Sequence, residues 1–457
     1  MYHAEAHRNH LKKVRQATAE GGVRVAEAFP YPGLYMDHPV RPVESRDPLD
    51  FFAERQRLLG ADAADAADAA DARRLRLAYA ARWEAAPEHT WSGSALSLLA
   101  RMREVAGTDD IGVHFPGHVR GALRMASARY QEGGIRSAWA NSRLTNAYLD
   151  RTLSRSFGAA RYDAALTIDS LAVLPDPFFV YYDTSWDSLL TTADTPERYM
   201  RNAGVTPARM ARMVERQRAI YEKATAIFTM SHWFGKSLVE ESGVPAAKIH
   251  TIHPGVNTPA VATADAPLSL RQAPRRRLLF VGRQWGISTF YAKGGELVVD
   301  AFKILRAEYD PRLTLTMVGV TDWPLAGPVP DGVTLPGVLP PSEVRKMYDC
   351  HDLLVVPSRI EGFGIVFAEA AARGLPSIAR NAYAMPEVVV PGLSGGLIDK
   401  SDPQELASAI VKALEDDQLY EACLARAPRV AEYFSWERAA WEIRQIINQY
   451  ISGTAAG

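Results

Sequence analysis

Short apolar runs alternate with longer amphipathic segments along most of this chain, and this alternation constrains the fold more than any other feature. The apolar runs have the length of buried strands, and the longer segments repeat their apolar residues with helical spacing. Two such helical stripes are Leu297, Val298, Ala301, Phe302 and Leu305, and Ile443, Ile446, Ile447 and Tyr450. We interpret both stripes as core. Strands that alternate with helices predict parallel sheets with helices on both faces.

The alternation falls into two series. The first begins at Leu75 and runs through LRLAYAARW, SALSLLARMREV, DIGVHF, YDAALTI, PFFVYY, AIFTM and KIHTI. The second follows the loop PAVATADAPLSLRQAPRRR and runs from RLLFVG to LPSIAR. We therefore expect an α/β chain of two doubly wound, Rossmann-like domains, at residues 73–265 and 266–435, whose parallel sheets face a cleft. Residues 436–457 are expected to form a C-terminal helix and tail.

Residues 1–72 differ in composition from the rest of the chain. They contain several prolines and little periodicity, and they lead into the low-complexity run ADAADAADAADARR. Such a segment has too few apolar residues to form a core. We expect an N-terminal extension and a solvated linker.

Composition excludes several classes of protein. The 457 residues carry 52 basic and 53 acidic side chains, so no overall basic field favours nucleic acid as a partner. The two cysteines lack the C-x-x-C spacing of metal and redox motifs, and no apolar segment reaches the ~18 residues that span a bilayer. We expect a cytoplasmic protein, and its composition is compatible with contact at the inner face of a membrane and with oligomerisation.

The segment PSRIEGFGIVFAEAAARG, residues 357–374, has the pattern of a glycine turn between a strand and a helix. Gly362 and Gly364 permit a close approach of backbone and ligand, and the helix N-terminus that follows attracts phosphate. Glu361 and Glu369 are too far apart along the helix to act as a paired acid and base on one bond. Two separate contacts with sugar hydroxyls fit their spacing better.

A second turn, FVGRQWGISTFYAKGG, places Arg283 after a strand and Lys293 before a helix. Together these cations could neutralise a diphosphate, Arg283 by a bidentate fork and Lys293 as a point charge. For either residue alone, a surface charge beside a loop is an equally good interpretation. The occurrence of both turns favours the diphosphate.

With these motifs in place, the chain resembles the retaining glycosyltransferases of family four, which have the GT-B fold. The resemblance covers residues 75–450. It rests on the Glu361 to Glu369 signature, the GRQ…KGG turn, the segment around residues 230–256 and MPEVVVPGLSGGLI. It implies a nucleoside diphosphate sugar, of UDP or GDP type, bound mainly by the C-terminal half. Arg283 and Lys293 would then contact the diphosphate, Glu369 the ribose hydroxyls, and Glu361 with the turn from Gly362 through Phe363 and Gly364 to Ile365 the sugar.

The N-terminal half departs from the family pattern in two places. In the loop TWSGSAL, where many members have two glycines, Gly93 and Ser94 are the candidates for amides near the donor phosphate. Many relatives have a histidine after the strand PFFVYY, whereas this chain continues YYDTSW, so Asp183 is the candidate substitute. Because Asp is a common N-cap, Asp183 could equally cap the next helix.

The resemblance implies transfer of a hexose to a glycan, lipid-linked or small-molecule acceptor, with the sugar nucleotide as co-substrate and no metal or other cofactor. Transfer would be a front-face displacement in which the leaving phosphate oxygen helps to deprotonate the acceptor. His114, His118, His253 and His351 are expected to be structural, because no metal-ligand spacing joins them. The alternatives are a non-catalytic partner subunit or sensor and, less favoured because G-x-G-x-x-G is absent, a nicotinamide oxidoreductase.

Overall fold

The computed structural model describes residue 49 and residues 75–131, 134–137, 139–191, 207–258, 274–282 and 287–453. Almost all of the expected extension 1–72, most of the segment joining the two series of strands, and Arg283 lie outside the described residues.

The first series of strands forms a six-stranded parallel sheet in the order β10-β9-β8-β7-β1-β3. The strands of this half are β1 (Arg76–Ala80), β2 (Arg82–Trp83), β3 (Gly107–Asp110), β4 (Val113–His114), β5 (Ala128–Gln131), β6 (Gly134–Ser137), β7 (Ala164–Ile168), β8 (Phe178–Tyr182), β9 (Ala226–Thr229) and β10 (Ile249–Thr251). Every residue of β7 is buried, as expected for a central strand covered on both faces. Strands β2 and β4, and β5 and β6, form two small separate pairs.

Helices cover this first sheet. They are α1 (Ser94–Val105), α2 (Gly117–Ala126), α3 (Arg143–Gly158), α4 (Trp186–Thr191), α5 (Pro207–Lys223) and α6 (His232–Glu240). The side chains of Ser142 and Ser231 cap α3 and α6 by accepting hydrogen bonds from backbone amides of the first turn. These caps define where the helices begin.

One predicted strand of the first series was misplaced. The segment DIGVHF was expected to enter the sheet, but the sheet takes the polar strand β3, and Val113 and His114 pair with β2 instead. The Ile111 amide still donates to the Tyr79 carbonyl of β1 at 2.8 Å, and Asp110 accepts hydrogen bonds from the Gly112 amide at 2.8 Å and the Trp83 indole at 3.1 Å, so the chain continues alongside β2. Strand β3 lies at the edge of the sheet and only one of its four residues is buried. The pattern of apolar residues therefore did not reveal it.

The second series forms another six-stranded parallel sheet in the order β13-β12-β11-β14-β15-β16. Its strands are β11 (Arg277–Val281), β12 (Thr314–Val318), β13 (Val333–Gly337), β14 (Leu353–Val355), β15 (Ser377–Arg380) and β16 (Gly395–Ile398). Its helices are α7 (Ile287–Ala292), α8 (Gly295–Glu308), α9 (Pro341–Cys350), α10 (Ile365–Ala372), α11 (Pro403–Glu415) and α12 (Asp417–Tyr433). The strand order reverses between β11 and β14, which is where open α/β sheets bind ligands.

The last helix, α13 (Trp436–Ile451), returns from the second sheet to the first domain and packs on α1. Glu437 pairs with Arg101 of α1 at 3.0 Å, and the Tyr450 hydroxyl lies 3.1 Å from Nε2 of His250 in β10. Ile443 and Ile447 are fully buried, as their stripe predicted. Among the described residues, no helix combines the length and apolarity needed to cross a membrane.

Candidate functional site

Lys293 and Glu361 meet where the second sheet reverses its strand order. Lys293 lies between α7 and α8, and its Nζ is 2.5 Å from Oε2 of Glu361 in the turn between β14 and α10. The Ser358 hydroxyl donates to the same oxygen at 2.9 Å. The two turns that sequence analysis identified are therefore adjacent, and they place a cation and a carboxylate at the carboxyl ends of neighbouring strands.

The glycine turn that contains Glu361 leads directly into the N-terminus of α10. Gly364 precedes α10 with φ 89°, a conformation that favours glycine, and a Cβ there would lie 2.5 Å from the Phe367 ring. Ile365 is the first helical residue. The Phe363 side chain is buried, with its ring centroid 5.7 Å from that of His253, so the part of Phe363 available to a ligand is its backbone.

Glu369 lies within α10 and is a partly buried residue. Its Oε2 accepts a hydrogen bond of 2.8 Å from the hydroxyl of Tyr348, which is fully buried in α9. Burial raises the pKa of Glu369 to about 7, against the opposing effects of the Tyr348 hydrogen bond and the charge of Arg345. Glu369 is thus separate from Glu361, which has its own partners.

Asp183 extends from the other domain to the same turn. It follows β8, and a Cβ on Gly362 would lie 2.5 Å from the Asp183 carbonyl oxygen, so the two segments touch at a position that only glycine fits. The Ser231 hydroxyl donates to the Gly362 carbonyl at 2.8 Å across the same contact. Burial, followed by the charges of Glu361 and Asp169, raises the pKa of Asp183 to about 7.

Asp183 does not cap the helix that follows it. The Ser185 hydroxyl accepts the hydrogen bond from the Ser188 amide at 3.0 Å, and the Ser185 carbonyl accepts that of Leu189. The capping interpretation of Asp183 is therefore wrong, although its chemical role remains a prediction.

Gly93 and Ser94 lie at the start of α1, after β1 at the point where the first sheet reverses its strand order. Gly93 has φ 90° and Ser94 is buried. On α1, the Ser97 hydroxyl donates to Oδ1 of Asn257 at 2.8 Å, which ties this loop to the end of the first domain.

Sequence analysis missed Asp169, Tyr182 and Trp91 at this edge of the first sheet. Asp169 follows β7 with φ 75°, and its Oδ1 accepts from the Ser170 amide at 2.5 Å. Burial raises its pKa, while the nearby Arg82 and hydrogen bonds from Ser170 and the Tyr182 hydroxyl oppose that shift. The rings of Trp91 and Tyr182 stack at 5.4 Å. An acidic residue directly after an apolar strand, the signal used for Asp183, would also have indicated Asp169.

A buried contact between the domains lies beside the site. Glu387 accepts hydrogen bonds from the amides of His232 and Trp233 at 2.8 and 2.7 Å, and Nε2 of His253 lies 3.2 Å away. Burial opposes ionisation of Glu387, but these partners hold its pKa below the ordinary value. His232, His253 and Glu387 are close enough to hold a metal ion, with ligand atoms within 4.8 Å. Because both carboxylate oxygens already accept amides at the start of α6, we interpret this group as an interdomain contact.

Part of the chain is similar in sequence to a known family of proteins. Residues 270–430 match the family model of glycosyl transferases group 1. The chain is 28% identical over 240 residues to D-inositol 3-phosphate glycosyltransferase of Thermobispora bispora. The aligned residues cover 47% of this chain and 53% of that protein. The protein of the same name from a Nocardioides species is 29% identical over 273 residues, covering 54% and 57%. The chain thus spans about half the length of these curated relatives.

Solved structures extend the likeness to both domains. Sucrose-phosphate synthase of Thermosynechococcus elongatus has a TM-score of 0.58 at 20% identity, covering 83% of this chain and all of that one. Anabaena HepE, solved in complex with UDP-glucose, has a TM-score of 0.54 at 16% identity, covering 82% and 100%. At such identities the likeness is one of fold. Residues 270–430 are therefore similar in sequence to the glycosyl transferases group 1 family, and the chain as a whole has the GT-B fold of two facing Rossmann-like domains.

Proposed function

We propose that the chain is a retaining glycosyltransferase that moves a hexose from a UDP- or GDP-sugar to an acceptor hydroxyl. The observation that carries this proposal is the meeting of Lys293 and Glu361 from one sheet with Asp183 from the other. Charged groups from both domains converge there beside a helix N-terminus, as a charged two-part substrate requires.

The diphosphate of the donor is assigned to Lys293, Arg283 and the N-terminus of α10. An ammonium group has three donors, so Lys293 can keep its bond to Glu361 and still bind phosphate oxygens. The resemblance supplies the role of Arg283. As the bond to the sugar breaks, charge grows on the diphosphate, and positive charge fixed beside it stabilises the transition state.

The nucleoside is assigned to the region beside Glu369, whose carboxylate would accept hydrogen bonds from the ribose hydroxyls. The bound UDP-glucose of HepE supports a sugar nucleotide as the class of donor for this fold. Substitution of Glu369 by Ala is expected to weaken donor binding by about 1.5–3 kcal/mol, the usual value of a hydrogen bond to a charged group. Calorimetric titration with UDP and GDP measures this loss, and unchanged affinity would remove Glu369 from the site.

The chemical step is assigned to a front-face displacement. The bond between the anomeric carbon and the phosphate oxygen breaks, the acceptor oxygen bonds to the same face of that carbon, and the acceptor proton passes to the leaving phosphate. Glu361 and the backbone of Gly362 face the sugar. Asp183, whose carbonyl touches Gly362, orients the sugar or the acceptor hydroxyl from the first domain.

The names of two relatives suggest which acceptor to test first. The relatives from Thermobispora and Nocardioides are named for inositol 3-phosphate, so this polyol is the first acceptor to test. Glycan and lipid-linked acceptors come next.

Purified protein incubated with UDP- and GDP-hexoses and these acceptors tests the function, with the anomeric configuration of the product read by NMR. Retention of the donor configuration is expected, and an inverted product would exclude the retaining mechanism. Donor binding without transfer or donor hydrolysis would instead favour a non-catalytic sensor or partner subunit. One feature favours that alternative, since Asp183 stands where many members of the family that the chain resembles have a histidine.

A further inference from the structure

Helix α9 lines the buried side of Glu369 with two polar residues, Arg345 and Tyr348, which are one turn apart. Residues three apart lie on the same face of a helix. Tyr348 is fully buried and its hydroxyl donates to Oε2 of Glu369 at 2.8 Å. A phenol can stay in a core only if its hydroxyl has a partner, so this bond fixes both side chains.

Arg345 places a positive charge near the same carboxylate, and its side chain extends to the other domain. Its charge favours the ionised form of Glu369. Its Nη2 donates to the Asn257 carbonyl at 3.2 Å, and Asn257 also accepts from Ser97 in the helix that begins at Ser94. Among the described residues, no group accepts a hydrogen bond from the buried Nε of Arg345.

The ionisation of Glu369 matters because of what a carboxylate can accept. An ionised carboxylate offers acceptor sites on both oxygens, so Oε2 can hold Tyr348 while hydroxyl groups of a ligand bind to the remaining sites. A protonated carboxyl uses one oxygen as a donor and loses the charge that strengthens each bond. Burial favours this protonated form, and Tyr348 and Arg345 oppose it.

We propose that Tyr348 and Arg345 are positioning residues that orient the Glu369 carboxylate so that it accepts the vicinal 2′- and 3′-hydroxyls of the donor ribose. The inference rests on the proposed function. In this proposal Glu369 contacts the ribose, and two residues of α9 act on Glu369 without contacting the ribose themselves. Tyr348 orients the carboxylate, and Arg345 supplies a positive charge.

Calorimetric titration of the full chain with UDP and with 2′,3′-dideoxy-UDP, or with the GDP pair if GDP binds more tightly, tests the proposal. We expect wild type to prefer the ribonucleotide by about tenfold or more at pH 7.5, the effect of a charged hydrogen bond. Tyr348→Phe should lose most of this preference at pH 7.5 and regain part of it at pH 9, because loss of the Tyr348 hydrogen bond raises the pKa of Glu369 further and a higher pH favours the carboxylate. Arg345→Gln, which removes the charge and also alters the contact with the Asn257 carbonyl, should change the preference in the same direction, and it provides the test if Tyr348→Phe does not fold.

Tyr309→Phe serves as the matched control, because Tyr309 is an exposed tyrosine just after α8, and it should keep the wild-type preference. A merely structural role for Tyr348 predicts equal weakening of both ligands at every pH, and that result would overturn the proposal. Full retention of the preference in both α9 variants would also overturn it. If neither UDP nor GDP binds the wild type, the proposed function itself fails, which is a different outcome.

Discussion

Asp183 combines two features that are rarely found in a structural aspartate. It lies against the turn of the opposite domain at Gly362, and its pKa of about 7 results from burial and then from the neighbouring charges of Glu361 and Asp169. Perturbed carboxylates in clefts are frequent in functional sites. The contact with the opposite domain and the raised pKa together make Asp183 a candidate for the chemical step.

Substitution of Asp183 by Asn keeps the size of the side chain and removes its charge. We expect turnover at saturating donor to fall by about a hundredfold or more, as for loss of a group acting in the transition state. If the ionised form is required, wild-type turnover rises as pH increases through 7, and the variant shows no such rise. Burial disfavours the charged form, so removal of the charge should not lower the melting temperature above pH 7.

Asp300→Asn is the control for this experiment, because Asp300 is an exposed aspartate on α8 paired with Lys303. Turnover of Asp183→Asn equal to that of wild type would reduce Asp183 to a structural residue.

The turn between β14 and α10 is the element on which the site depends. Its glycines allow the backbone to approach Asp183 on one side and the start of α10 on the other. A Cβ at Gly362 would meet the Asp183 carbonyl oxygen at 2.5 Å and the Asp183 Cβ at 3.0 Å, distances that require the two domains to move apart.

Gly362→Ala is therefore expected to lower the free energy of unfolding by about 1–3 kcal/mol, the usual cost of overpacking. It should also lower kcat/KM by at least tenfold, because the reacting groups come from both sides of this contact. Urea unfolding and donor turnover measure the two effects. Gly121→Ala in α2, where a Cβ has no neighbour within 4 Å, should leave turnover unchanged. Wild-type turnover in Gly362→Ala would show that the contact is not needed.

On the scale of the whole molecule, Glu387 connects the domains. A Gln at this position would turn an amide NH2 towards one of the two backbone N–H groups of α6, so one buried donor would lose its acceptor. We expect Glu387→Gln to lower the free energy of unfolding by about 1–3 kcal/mol, the usual cost of leaving a buried donor without an acceptor.

Calorimetric unfolding should then separate into two transitions, one for each domain. The exposed Glu240, paired loosely with Lys236, provides Glu240→Gln as the control, with unfolding like that of wild type. A single transition at the wild-type temperature in Glu387→Gln would contradict this role for Glu387.

The reaction as a whole should proceed in the presence of chelator. Lys293 and Arg283 are assigned the positive charge that a divalent metal ion would otherwise supply to the leaving diphosphate. Turnover measured with and without EDTA is expected to be equal within about twofold. Loss of turnover that a single divalent ion restores would be incompatible with this assignment.

The sequence by itself determined the type and order of most helices and strands, because helical spacing and apolar runs are local properties of the chain. The turns that contain Glu361 and Lys293 were also evident, since glycine before a helix is a local signal. The polar edge strand β3 was not, because its pairing with β1 rather than its composition makes it a strand.

Only the tertiary structure decided which residues meet. Ser231 and Gly362 are 131 positions apart, and His253 and Glu387 are 134 apart, so no local pattern joins them. The pairing of Tyr348 with Glu369 and the place of Asp169 beside Asp183 likewise depend on how helices and sheets pack. The physical reason is that burial and neighbouring charge, which set the protonation of these carboxylates, exist only after the chain has folded.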